Sequence, residues 1–265
     1  MRPDIVIPVR PGENNQSLRY TLRSIAAHVP HRRVWIAGHK PAWVRGVGHI
    51  PNRQTATKYQ NSRSNWKAAV DHPDVTDDFL IFNDDFFVMR PFPPVPPVLH
   101  RGPLAAVEEH FRTRVRPGRY MLGMRQTAEL LADLGIDDPL CYEMHTPMLL
   151  NRQRYLEVWE LGNRIKYPHS RTLYGNYWKL GGKKAVDPKI MSFGPRFPHS
   201  SLFLSTMNET FTRGQVGSYI RSMFPQRCRY EAAPQRGEPR LAAHRAAGST
   251  PPRRVTGRRP VRRRV

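Results

Sequence analysis

The chain has 265 residues, enough for one sizeable α/β domain with an adequate core. Its 43 Lys and Arg against 21 Asp and Glu leave a formal charge of +22, with 12 Arg and 2 Glu from residue 227 onward contributing +10 of it; such a field favours polyanions, whether nucleic acid, nucleotides or anionic glycans. No stretch approaches the ~20 apolar residues of a membrane span, the N-terminal apolar run is too short for a signal peptide, and two distant cysteines, Cys141 and Cys228, suit a reducing compartment and make no metal motif, so a soluble, cytoplasmic protein is expected.

Asp4 to Val9 is apolar and β-branched and predicts a first strand, broken near its end by Pro8, which has no ladder donor. After the Pro11-Gly12 loop, Leu18, Leu22, Ile25 and Val29 recur at helical spacing, with Asn14, Asn15 or Ser17 as N-cap and Pro30 beyond the end. Arg33 to Gly38 predicts a second strand, Gly46 to Ile50 a third, and residues 61 to 70 a helix burying Trp66, Ala69 and Val70. That helix carries Asn61 and Asn65 on one face, one turn apart. Phe79 to Phe82 is a short buried strand, and Phe86 to Met89 a second apolar run. Strands alternating with helices in this order predict a mainly parallel sheet flanked by helices.

Six prolines between Pro91 and Pro103 predict an extended surface connector. Residues 120 to 134 and 152 to 161 predict helices, the first stopped by Gly135. Between them Glu143 and His145 share a direction if the segment is extended. Residues 162 to 200 predict ordered loops, Phe203 to Thr206 a last strand, and Val216, Tyr219, Ile220 and Met223 a final amphipathic helix. Beyond about residue 227 no apolar periodicity remains, which predicts a disordered Arg-rich tail over 227–265.

The chemistry concentrates at Asn83-Asp84-Asp85. Carboxylates at the carboxyl end of a buried strand stand where α/β sheets bind ligands, and they suit a hard divalent cation that holds phosphates. The apolar run that follows pins both acids in a semi-buried place, where a carboxylate needs a partner.

The order of a Pro-ended first strand, the Leu18-Arg19-Tyr20-Thr21-Leu22-Arg23-Ser24-Ile25 helix and the Phe79-to-Phe87 segment resembles the nucleotide-diphospho-sugar transferases of the GT-A fold. Local similarity is greatest to the Stealth sugar-phosphotransferases, through that helix, Asn83-Asp84-Asp85-Phe86-Phe87, and His145 near Pro147. Pro8-Val9-Arg10 stands where Stealth proteins have a Thr-Trp-Val-Asp type of opening, which puts glycosyl transfer ahead of sugar-phosphate transfer. The resemblance implies a GT-A-like (Rossmann-like) catalytic domain over 1–226, with a nucleotide-binding half at 1–90 and an acceptor-side half at 104–226. It implies Mn²⁺ or Mg²⁺ held by Asp85, Asp84 and His145, and a nucleotide-sugar donor met by Pro8, Arg10, Asn61, Asn65, Asn83 and Asp84. A base must take the acceptor proton; Glu143 and Asp187 are the candidates, with Glu209 behind them. The acceptor is open, with a polyanion such as DNA or an anionic glycan suggested by the charge. A non-enzymatic nucleic-acid-binding protein is the rival reading, resting on phosphate neutralisation by the tail.

Overall fold

The structure, a computed structural model, describes residues 2–12, 14–54, 57–113 and 118–233. Residues 234–265, most of the expected tail, lie outside the described residues. The first half of the chain forms β1 (Asp4–Val9), α1 (Gln16–His28), β2 (Val34–Gly38), β3 (Gly48–Ile50), α2 (Lys58–Asp71), β4 (Asp78–Ile81), β5 (Phe86–Val88) and β6 (Leu99–His100). Then follow α3 (Leu104–Arg112), α4 (Arg119–Asp133), β7 (Met148–Asn151), α5 (Arg152–Gly162), α6 (Ser170–Tyr177), β8 (Lys183–Lys184), β9 (Lys189–Ile190), β10 (Phe203–Thr206), α7 (Asn208–Arg213) and α8 (Gln215–Met223).

The main sheet has the order β3-β2-β1-β4-β7. The first four strands are parallel and β7 runs antiparallel to β4, with Asp78 opposite Asn151. The sheet is therefore mixed, whereas the alternation of elements predicts a mainly parallel one. The pattern was readable only as far as β4, because each preceding strand is followed by a single short return to the same end of the sheet, and β7 arrives after a long excursion with no such crossover. A second sheet, β5-β10-β9, and a pair of short strands, β6 and β8, lie beside it.

Side chains alternate between the two faces of the sheet, as the strand period requires. Ile5, Ile7, Val9, Leu80 and Phe82 pack under α1 through Leu18, Leu22 and Ile25. Val6, Phe79 and Ile81 pack on the other side with Trp66, Ala69 and Val70 of α2, Leu130 and Leu131 of α4, and Tyr155 and Val158 of α5. Each such aliphatic side chain, fully withdrawn from water, contributes about 1.5–3 kcal/mol. Both faces are covered, so β1 and β4 are buried strands whose ends alone reach solvent.

Two other expectations change. Helices α3, α6 and α7 have no strong sequence signal, since each is short and half its face is polar; α6 replaces part of the loop expected over 162 to 200. The tail does not start at 227: Tyr230 belongs to the core under α1, Glu231 is fully buried, and the backbone of 230–232 bonds to that of 43–45. Glu231 is drawn in by two arginines of α1. Its carboxylate accepts from Arg23 Nε at 2.7 Å and Nη2 at 2.9 Å, and from Arg19 Nη1 at 2.7 Å. Among the described residues no helix is long and apolar enough to cross a membrane.

Candidate functional site

The strand order turns back at β1: the chain goes from β1 to β2 and β3 on one side, then to β4 on the other. Open α/β sheets bind ligands in the crevice outside the carboxyl ends of the strands at such a point. Pro8 opens this crevice. Phe82 N–H donates to the Val6 carbonyl at 2.9 Å, and the pairing of β1 with β4 stops there. Pro8 comes two residues later on the same edge and has no N–H to extend that ladder. On its other edge β1 continues along β2 as far as Val9 opposite Gly38, so Pro8 ends one ladder and does not break the strand.

Asn83-Asp84-Asp85 turn the chain from β4 into β5 at this crevice, and Thr21 Oγ1 of α1 holds the turn by donating to the Asp84 carbonyl at 3.0 Å. Burial pushes the Asp84 carboxyl up to about 7, the negative charge of Asp85 adds to the rise, and Arg10 and Lys189 offset part of it. Asp85 Oδ2 accepts from Lys189 Nζ at 2.8 Å, while Asp85 Oδ1 is buried with no hydrogen-bond partner. Lys189 reaches Asp85 because β9 pairs with β10 and β10 with β5, which brings a residue 104 positions away beside the turn.

His145 and Asp187 are brought together. His145 Nδ1 lies 3.0 and 2.9 Å from the two Asp187 oxygens, and the His145 amide donates to Oδ1 at 3.2 Å. Burial by itself would raise the Asp187 carboxyl, but the hydrogen bonds and charge of His145 and the guanidinium of Arg101, 3.7 Å away, hold it below the usual range. Asp187 is therefore an ionised acceptor, which fixes Nδ1 of His145 as the donor and leaves Nε2 as the free ring nitrogen. The His145 ring packs edge-on against Phe86, centroids 6.1 Å apart.

Glu143 does not stand beside His145 on a strand; the segment bends, with Met144 N–H donating to the Tyr142 carbonyl. Glu143 Oε1 instead accepts from the backbone amides of Arg171 and Thr172, at 3.1 and 3.2 Å, at the start of α6. Arg171 links the acids. It is almost fully buried, donates to the Thr146 carbonyl at 2.6 Å, and lies 5.5 Å from the Phe86 ring. Burial pulls its guanidinium down to about 10, and the charges of Glu143, Asp187 and Asp85 pull it back up. Glu209 is exposed at the start of α7 and touches none of these groups.

On the β1–β2 side, Gly38 has φ of 98°, and a Cβ there would come within 2.6 Å of the Val9 carbonyl and 2.8 Å of Asn65 Nδ2. Asn65 is buried and its Oδ1 accepts from Asn52 Nδ2 at 2.9 Å; Gln54 donates to the Val9 carbonyl at 2.7 Å. Asn61, one turn earlier, is half-buried on α2. Arg10 is exposed at the end of β1 and acts on Asp84 by charge. Sequence reading missed Arg101, Arg171, Lys189 and Gln54; only the Asp187-x-Lys189 alternation carried a hint of one of them.

A divalent cation fits Asp84 and Asp85 on two observations, the orphaned Asp85 oxygen and the raised pKa of Asp84, both of which a cation relieves. Among the described residues no group of three or more His, Cys, Asp or Glu is arranged to hold a metal. Two carboxylates completed by water and substrate phosphate are a usual magnesium arrangement. The chain matches no protein-family model and no curated protein.

Proposed function

We propose that the chain is a metal-dependent glycosyltransferase of GT-A type, which moves a sugar from a nucleotide-diphospho-sugar to an acceptor hydroxyl. The observation that carries the reading is the acidic turn Asp84-Asp85 at the switch point between β1 and β4, with one carboxylate oxygen buried and unpartnered. In support, two cations act on that turn, Arg10 by charge on Asp84 and Lys189 by an ion pair with Asp85, as a diphosphate site requires. The cluster of amide side chains Asn52, Gln54 and Asn65 packed at Gly38 beside the end of β1 offers polar groups of the kind a nucleoside needs. Asp84 and Asp85 would hold Mn²⁺ or Mg²⁺, which would supply charge stabilisation for the leaving diphosphate.

In this reading His145 Nε2 takes the proton of the acceptor hydroxyl, and Asp187 positions the ring and stabilises the imidazolium that forms. The catalytic assignment thus moves from Glu143 and Asp187 to His145, with Asp187 as its positioning partner. Glu143 holds the start of α6 and with it Arg171. The positive field favours an anionic acceptor. The test is calorimetry of the full chain with UDP- and GDP-sugars, with and without Mn²⁺. Metal-dependent donor binding that Asp85→Asn abolishes supports the reading. Absence of donor binding, with duplex DNA bound instead, would favour the basic nucleic-acid-binding alternative.

A further inference from the structure

Beyond the acidic turn, α2, α4 and α5 enclose a cavity of about 250 Å³. It is lined by Arg63, Arg119, Lys166, Tyr120, Trp159 and Tyr167 among others, with no carboxylate among the described residues that form it. Its three cations are in no ion pair among the described residues. Arg63 is drawn deepest: its guanidinium stacks 3.8 Å from the Trp159 centroid and donates to the Trp159 carbonyl at 2.8 Å and to Asn163 Oδ1 at 3.0 Å. Its hydrogen-bond acceptors are neutral, and Glu160 meets its charge only at a distance. A half-enclosed space lined by three cations, none in a direct ion pair among the described residues, and by no carboxylate favours an anion. The aromatic walls call for a ligand with a ring face, and the volume, just below the ~300 Å³ lower end for ligand pockets, admits one ring.

The cavity adjoins the proposed reaction centre. His169, in its wall, packs at a tilt against Tyr120 with centroids 4.6 Å apart and immediately precedes α6, whose first turn holds Glu143 through the amides of Arg171 and Thr172. Tyr120 itself lies within electrostatic reach of Glu143, Arg101 and Asp187. The start of α2, which supplies Arg63, follows β3 and so stands at the same edge of the sheet as Asp84 and Asp85.

We infer that this cavity is a binding subsite for an anionic monosaccharide ring, bearing one carboxylate or phosphate, at the acceptor end of the site. The acceptor role rests on the transferase reading; the binding site does not. The test uses calorimetry on the full chain with glucuronate, glucose 6-phosphate, glucose and inorganic phosphate as probes. Glucuronate or glucose 6-phosphate binds one to one, at least about tenfold tighter than glucose or inorganic phosphate. The double variant Arg119→Ala/Lys166→Ala, at two exposed positions of the lining, weakens that binding about tenfold. Equal binding of glucose, equal binding of bare phosphate, no binding of either anionic sugar, or indifference to the double variant would each overturn the proposal. Asp85→Asn keeps glucuronate binding while losing the donor. If the wild-type chain binds anionic sugar and no donor, only the transferase reading falls; if it binds donor and no anionic sugar, only the subsite falls.

Discussion

Residues 227–233 are part of the folded domain, and cutting the chain at 226 therefore removes structure. The main loss is the Glu231 carboxylate, which is fully buried between Arg23, whose side chain is 8% exposed, and Arg19, 18% exposed. Removing one partner of a buried pair leaves an uncompensated charge at a cost of about 3–5 kcal/mol. Loss of the Tyr230 ring, 3% exposed in the core under α1, adds about 3–5 kcal/mol. The two together are comparable to the roughly 5–15 kcal/mol that holds a domain folded. Fragment 1–226 is accordingly expected to be unfolded by circular dichroism, and fragment 1–233 to melt with the full chain. Within the full chain, Glu231→Ala should lower the urea midpoint by about 1–1.7 M, taking an m-value of about 3 kcal/mol/M. Burial would raise the Glu231 carboxyl, but the hydrogen bonds from Arg23, Arg19 and Cys228 hold it below its ordinary range. Because the folded value is depressed, its contribution is complete above pH about 4.5 and is lost as pH falls through the folded value. The gap between wild type and Glu231→Gln should close in that window. Equal urea midpoints for fragments 1–226 and 1–233 would refute the reasoning.

Four further outcomes are expected. Asp187→Asn should lower kcat for sugar transfer about 10²-fold with little change in donor Kd and an altered pH–rate profile, because it frees the His145 ring; an unchanged profile removes the positioning role. Manganese affinity should rise as pH increases through about 7, where Asp84 gives up its proton, and Asp84→Asn should flatten that dependence; calorimetry at pH 6, 7 and 8 decides it. Gly38→Ala should cost about 1–3 kcal/mol in urea unfolding and weaken donor binding, since a methyl at φ 98° meets Val9 and Asn65; a donor-binding variant of wild-type stability contradicts the crowding. Burial lowers the pKa of His31, where the Arg229 charge adds to the effect, and of His169, where Glu143 opposes it. The unfolded chain then binds more protons below about pH 6.5, so Tm should fall from pH 7.5 to 5.5, by up to about 1.4 kcal/mol per unit for each group; a flat profile counts against both.

What could be read along the chain was whatever a short window encodes. The buried strands β1, β2 and β4 announce themselves as apolar β-branched or aromatic runs, α1, α4 and α5 by helical spacing, and Asp84-Asp85 by an abrupt change from core to charge. These signals are local because burial on both faces of the sheet demands apolar residues at nearly every position. What the window cannot encode is which distant residues converge. Antiparallel β7, the reach of Lys189 to Asp85 across 104 positions, and the pairing of His145 with Asp187 depend on strands that meet only after the chain has closed on itself. Glu231 shows the same limit most sharply. In sequence it is one of two acids in an arginine-rich tail without apolar period; in the structure it is buried, because two arginines on α1 need a carboxylate and no local rule could say so. The acidic turn at the end of β4 was fixed by the sequence order alone. The cations around it were decided by tertiary packing, since charge pairing acts through space and is blind to position in the chain.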